Sequence, residues 1–267
     1  MSKKHYGLWG GIFLTVDVEN LLILGITPYI FMAGIGFMFA FSCFVLLAAI
    51  KGYDIKKNTI YLLVSCIGLF VGAKLFGIIT KIIATINAKE IVELSILMNT
   101  GIVFYGGLIG FVLTFICLAK ILDKHIDFYV MDIIAVCIPL FHSFARAGCF
   151  MAGCCYGIES HGFTSVLYRT SLLELTQRIP VQLIETGINL LIFIVLLILY
   201  IKNRFSKTLL LFYFSVYSIF RFFLEFLRGD ISRGFIGFLS FSQVISLFLL
   251  LLLVIIAIKS RKRRCTF

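Results

Sequence analysis

Two groups of ionisable residues sit where the chain is otherwise apolar, and their spacing points to the handling of an anion. His142 and Arg146 lie four residues apart, on one face of a helix, and open the run HSFARAGCFMAGCCYG, residues 142–157. That run holds Gly148, three cysteines (Cys149, Cys154, Cys155) and a closing Tyr156–Gly157 pair. Arg221, Glu225 and Arg228 follow i, i+4, i+7 spacing, a plus-minus-plus stripe along a second helix. An arginine at bilayer depth is costly unless it is paired or faces a polar cavity. Its planar fork suits phosphate, so Arg146 and Arg221 together can hold a phosphodiester and stabilise the charge of a leaving phosphate. The plain alternative is that Arg221 and Glu225 neutralise each other across one turn, which does not exclude a site. Three more candidates are Tyr105, in VFYGGLIG (103–110), and Gln182 with Glu185, in PVQLIE (180–185). For Gly106 and Gly110, spacing alone favours helix packing.

Long apolar segments must position these residues. The chain has 267 residues, 61% of them hydrophobic and 14% charged, and its mean hydropathy is +1.09. This excludes an ordinary soluble domain. Apolar runs repeatedly reach the ~20 residues that cross ~30 Å of hydrocarbon. Seven spans are predicted, at 27–50, 59–84, 101–121, 127–144, 180–201, 208–227 and 238–258. They are long and lack apolar/polar alternation, so they read as helices and not barrel strands. The expected fold is an all-α, polytopic integral membrane protein of about seven transmembrane helices, forming a single domain over 1–267. Residues 1–26 read as an interfacial segment, because Asp17 and Glu19 interrupt the apolar run and no signal-peptide cleavage site follows. Residues 145–179 read as an extracytoplasmic loop and 259–267 as a basic cytoplasmic tail.

The net charge of +11 does not call for a nucleic acid. It is concentrated after spans one, three, five and seven, at Lys51, Lys56, Lys57, Lys120, Lys124, Lys202, Arg204, Lys207 and the tail. The positive-inside rule then puts the N-terminus outside and the C-terminus in the cytoplasm. Arg146, the three clustered cysteines, Glu225, Arg228 and Asp230 accordingly fall near the outer leaflet.

At these residues the chain resembles the prolipoprotein diacylglyceryl transferase family. Gly72–Ala73–Lys74–Leu75 resembles the family's span-two motif, with lysine in place of arginine, and Tyr105–Gly110 resembles its His-Gly-Gly-Leu-Ile-Gly. Ala145–Gly157 resembles the family signature and keeps Arg146, Gly148, Phe150, Gly153, Tyr156 and Gly157. Pro180–Glu185, Arg221–Arg228, and Gly237–Ser240 with Gln243 and Ser246 match further motifs in the family's order. The resemblance implies a seven-span enzyme of the bacterial cell membrane. Such an enzyme moves diacylglycerol from phosphatidylglycerol to the lipobox cysteine of signal-peptide-bearing pre-lipoproteins, releasing glycerol phosphate and forming a thioether. It implies catalytic roles for Arg146, Arg221 and Tyr105, and substrate contacts from Gly148, Cys149, Cys154, Gly157, Gln182, Glu185, Glu225 and Arg228. No metal or other cofactor is implied. The departures lie at Tyr105 (histidine in the family), Cys149 and Ala152 (asparagines) and Cys154 (glutamate). Tyrosine is a poor base at neutral pH, so His142, one turn before Arg146, is the candidate for the open role.

The cysteines leave several readings open. Cys43, Cys66, Cys117 and Cys137 sit singly in apolar spans, as small hydrophobes do. Cys149, Cys154 and Cys155 read as packing residues, as a disulfide pinning the loop, or as reactive thiols beside Arg146. Zinc held by His142 and the three thiolates would need a spacing that matches no known finger. Two further functions stay open: a thiol-dependent lipid or acyl transferase with another acceptor, and a non-catalytic lipid-binding membrane protein.

Overall fold

The computed structural model describes residues 15–17, 26–87, 103–162, 164–170, 173–229 and 234–265. Among them are seven helices long and apolar enough to cross a membrane. They are α1 (Pro28–Lys51), α2 (Ile55–Asn87), α3 (Phe104–Leu122), α4 (Phe128–Met151), α5 (Val181–Ile201), α6 (Leu209–Leu224) and α7 (Phe241–Cys265). A 3-10 turn, Glu225–Leu227, continues α6. The chain is a multi-pass membrane protein, as its hydropathy predicts. Local signals set several helix ends. Pro28 occupies the first turn of α1, where its missing N–H costs nothing, and Gly52 (φ 72°) ends that helix in the left-handed conformation. The Asp127 carboxylate caps α4 by accepting from the N–H groups of Tyr129 and Val130.

The bundle is built around α4, whose buried residues run from Val130 to Phe150 and which packs on α1, α5 and α6. α2 pairs with α3, and α6 with α7. Phe44, Phe115, Ile133, Leu196, Leu209 and Tyr213 fill the interior, while Met38, Ile67, Phe70, Leu191 and Phe248 face outward. An apolar exterior of this kind suits contact with lipid. The α2–α3 seam is tight at glycine: a Cβ on Gly106 would lie 2.4 Å from the Gly72 carbonyl oxygen, and one on Gly110 2.2 Å from that of Gly68. The packing expected of Gly106 and Gly110 is what the fold contains.

The connections after α1, α3 and α5 are tied to neighbouring helices by polar contacts. Lys51 Nζ donates to Asn203 Oδ1 (2.8 Å), Lys57 pairs with Asp123 (3.1 Å), and the Lys207 ammonium lies over the Tyr129 ring. Buried Asp132 of α4 accepts from the backbone N–H of Lys207 and from that of Leu209 (2.9 Å), capping the start of α6 from another helix. Asp132→Ala should therefore lower stability by about 1–3 kcal/mol, read as a fall in detergent melting temperature. Asp132→Asn keeps an acceptor and should lose less.

Two regions depart from the expected boundaries. The fourth helix continues to Met151 where a loop was expected from residue 145. The glycine there does not break it, because Gly148 lies against α1: a Cβ would meet Met32 Cβ at 2.9 Å. Arg146 can stay in the bundle because it finds a carboxylate, described below. The remaining loop also holds a sheet: β1 (Thr15–Asp17) pairs parallel with β2 (Val166–Thr170), which pairs antiparallel with β3 (Leu173–Arg178). Apart from 15–17 and 26, the predicted interfacial segment lies outside the described residues, as does Asp230. A small hairpin, β4 (Phe235–Ile236) and β5 (Leu239–Ser240), leads into α7.

Candidate active site

Glu185, one turn inside α5 and 2% exposed, gathers the charges of three helices. Its Oε2 lies 3.1 Å from Arg146 Nε and 3.4 Å from Arg221 Nη1. Its Oε1 accepts from the Tyr217 hydroxyl (3.1 Å) and lies 3.7 Å from His142 Nε2. The chain of charge continues along α6, where Arg221 Nη2 meets Glu225 Oε2 at 2.9 Å and Arg228 Nη1 approaches the same oxygen at 3.9 Å. The predicted Arg221–Glu225 pair is thus present, as one part of a larger network. Burying these ions is tolerable because each lies beside an opposite charge.

Within this network the two arginines differ. Arg221 spends both terminal nitrogens, on Glu185, Glu225 and the Ser242 hydroxyl (3.4 Å). Arg146 is anchored through Nε, which donates to His142 Nε2 (3.1 Å) and faces Glu185. Among the described residues, no hydrogen bond or ion pair ends on its Nη1 or Nη2. Accepting that bond makes His142 Nε2 the unprotonated nitrogen. The ring is stacked on Phe104 (centroids 3.6 Å apart) and set edge-on to Tyr217. Arg146 lies 18 residues into α4, about 27 Å along the helix from the end that carries Asp127.

The loop forms a roof over this end of the bundle. Residues 156–158 pair with 227–229: Ile158 N–H donates to the Leu227 carbonyl (2.9 Å), and Gly229 N–H to that of Tyr156 (3.0 Å). Gly157 also donates to Ile179 O, and a Cβ there would lie 2.5 Å from that oxygen. Gly148 and Gly157 therefore carry close packing. Gln182 is equally committed, because its amide donates to the Cys154 carbonyl (2.6 Å) and accepts from the Tyr168 hydroxyl (3.0 Å). Arg178 pairs with Glu159 (2.7 Å) and lies over the Tyr156 ring, 4.7 Å from its centroid.

Cys149, Cys154 and Cys155 come together under this roof, with all three Sγ atoms within 4.8 Å of one another, and the thiols are free. Cys154 donates to the Cys149 carbonyl (3.6 Å). Hydrogen bonds with the Cys149 and Cys154 thiols, aided by the charges of Arg228 and Arg146, hold the Cys155 thiol well below its ordinary pKa. His142 does not join them: its ring is turned to Arg146 and Glu185, and the four-ligand zinc arrangement is not formed. Tyr105 lies to the other side. Its hydroxyl meets Ser246 Oγ of α7 at 2.7 Å, and its ring stands edge-on to Tyr217.

The arrangement thus unites Arg146, His142, Glu185, Arg221, Glu225 and Arg228, sets Cys149 and Cys154 beside them, and reaches Tyr105 through Tyr217. Three contributors were missed from the sequence. Tyr217 lies one turn before Arg221, a signal that was available. Tyr29, in the first turn of α1, faces Arg146 and the three thiols. Tyr168 of β2 is fully buried. The last two are distant in sequence and carried no such signal.

The family model described as prolipoprotein diacylglyceryl transferase matches residues 19–259. Phosphatidylglycerol–prolipoprotein diacylglyceryl transferase 2 of Clostridium perfringens is 31% identical over 237 residues, covering 88% of this chain and 91% of that protein. The enzyme of that activity from Clostridium tetani is 33% identical over 204 residues, 74% of this chain and 78% of its own length. The corresponding Finegoldia magna protein is 30% identical over 261 residues, 96% of this chain and 92% of its own length. Motifs, helix order and a match along nearly the whole length agree: the chain belongs to the prolipoprotein diacylglyceryl transferase family.

Proposed function

We propose that this protein transfers the diacylglyceryl group of phosphatidylglycerol to the lipobox cysteine of secreted pre-lipoproteins, at the outer leaflet of a bacterial plasma membrane. One observation carries the reading: Arg146 is held rigidly through Nε while its Nη1 and Nη2 carry no other bond among the described residues. A guanidinium fixed in this way binds a phosphodiester bidentately. The acceptor thiolate attacks the glyceryl C3 carbon, a C–S bond forms, and the bond between C3 and the phosphodiester oxygen breaks. The electron pair of that bond leaves with glycerol phosphate, and the thiol proton ends on this monoester or in water. Arg146 offsets the growing charge on the phosphate, with Arg221 and Arg228 adding field from behind. The geometry suits His142 to orienting Arg146, since its Nε2 lone pair is already engaged.

The basic connections after α1, α3 and α5 support a cytoplasmic placement of that end, with the C-terminus on the same side. A strain depleted of its own diacylglyceryl transferase provides the test. Expression of this chain should restore the gel shift and the added diacylglyceryl mass of a reporter pre-lipoprotein. Failure to do so in any form would sink the reading. The assembled thiols favour a second one, thiol-dependent transfer. Cys154→Ser separates the two: retained rescue supports the main reading, and lost rescue supports the other.

A further inference from the structure

We propose that Cys149, Cys154 and Cys155 form a binding site for a thiophilic d10 metal ion, Zn2+ or Cu+. Neither the family resemblance nor the proposed reaction calls for one. The argument begins with the backbone. Vicinal side chains on an extended strand point apart, yet here both vicinal thiols converge on a third. Gly153 (φ 63°) and Cys155 (φ 59°) are both left-handed, and together they fold the chain back toward the last turn of α4. For Cys155 this conformation is unfavourable, because it carries a Cβ.

The resulting spacing is close to that of a metal thiolate. Zinc–sulfur bonds of about 2.3 Å place tetrahedral ligands about 3.8 Å apart, and all three sulfurs already lie within 4.8 Å of each other. Contraction by about 1 Å, within reach of χ1 rotation, would complete the set. Thiolates select soft cations over the oxygen-seeking Mg2+ and Ca2+. Three thiolates with Zn2+ carry one net negative charge, and with Cu+ two, and the charges of Arg146 and Arg228 both reach the cluster. Tyr29 is also at hand. An anionic metal centre is thus matched by the cations around it. Second contacts fix the frame: the carbonyl of Cys154 is held by Gln182, and its N–H donates to the Cys149 carbonyl (3.1 Å).

The test uses the full-length chain in detergent, reduced, and read by metal binding and not by transfer activity. Cd2+ serves as the optical probe through its thiolate charge-transfer band, while Zn2+ and Cu+ are titrated against chromophoric chelators. One Cd2+ per chain is expected, with stoichiometric binding of at least one of the two other ions. Cys149→Ser, Cys154→Ser and Cys155→Ser should each weaken Cd2+ binding by about 100-fold or more, whereas Cys117→Ser should not. The unmutated protein supplies a second reading should a variant misfold. Bound Zn2+ or Cu+ should shield these three cysteines from maleimide, scored by peptide mass spectrometry, while Cys117 in the same sample labels at its usual rate. Absence of stoichiometric binding, binding that survives the substitutions, or labelling unaffected by either ion would each overturn the site.

Discussion

Glu185→Gln should destabilise the bundle more than any other single substitution of a polar residue described above. The carboxylate is buried and serves as the counter-charge for Arg146 and Arg221, with Tyr217 also hydrogen-bonded to it. Glutamine keeps the shape and an acceptor oxygen but removes the charge, which leaves two guanidiniums near a neutral amide. Breaking a buried pair in this way costs about 3–5 kcal/mol, a large part of the stability of a typical domain. The expected results are a steep loss of folded protein after detergent extraction and little transferase activity in what remains. A double-mutant cycle makes the test specific. Arg146→Gln added to Glu185→Gln removes the cation whose one ion pair among the described residues is with Glu185, whereas Arg221 keeps Glu225, so the pair of changes should cost clearly less than the two single costs combined. Simple additivity would show that Glu185 does not act as the counter-charge of Arg146.

Arg146→Ala should leave a folded protein and remove most of the activity. Arg221 still compensates Glu185 in that variant, so the fold keeps its main ion pair. The reaction loses its preorganised donor to the phosphate, an effect of about 10²–10³ in turnover. Arg146→Lys is the sharper experiment. Arg146 uses Nε to hold His142 and Glu185 and presents its fork elsewhere, and a single ammonium cannot do both. The lysine variant should therefore fall within about tenfold of the alanine variant, one decade being about 1.4 kcal/mol. Transfer from phosphatidylglycerol vesicles to a lipobox peptide would measure both. Wild-type turnover in Arg146→Lys would mean that the fork takes no part.

How much of this the sequence reveals depends on the distance over which each interaction acts. The spans were readable because hydrocarbon thickness acts on every residue of a run, and each predicted span overlaps one of the seven helices. The errors lie at ends where local chemistry and packing disagree. In residues 145–151 Arg146 interrupts the apolar run and Gly148 is a weak helix former, yet the helix continues because α1 accepts Gly148 and α5 supplies Glu185. The β2–β3 hairpin was missed although Val166 and Tyr168 alternate inward, a pattern too short to stand out beside membrane spans.

By itself the sequence determined the seven-helix membrane fold and the family, and it singled out most of the ionisable residues and thiols that the fold brings together. Periodicity and transfer free energy act along the chain, and motifs are local. Only the tertiary structure decided how those residues divide the work. It joined Glu185 to partners 39 residues before it and 36 after it, engaged both terminal nitrogens of Arg221, and left Nη1 and Nη2 of Arg146 without a bond among the described residues. It also turned three cysteines that looked like separate substitutions into one cluster. The physical reason is the same throughout. Inside a bilayer an ion or a thiol takes its properties from what lies across the helix interface, and that neighbour is set by packing, not by position along the chain.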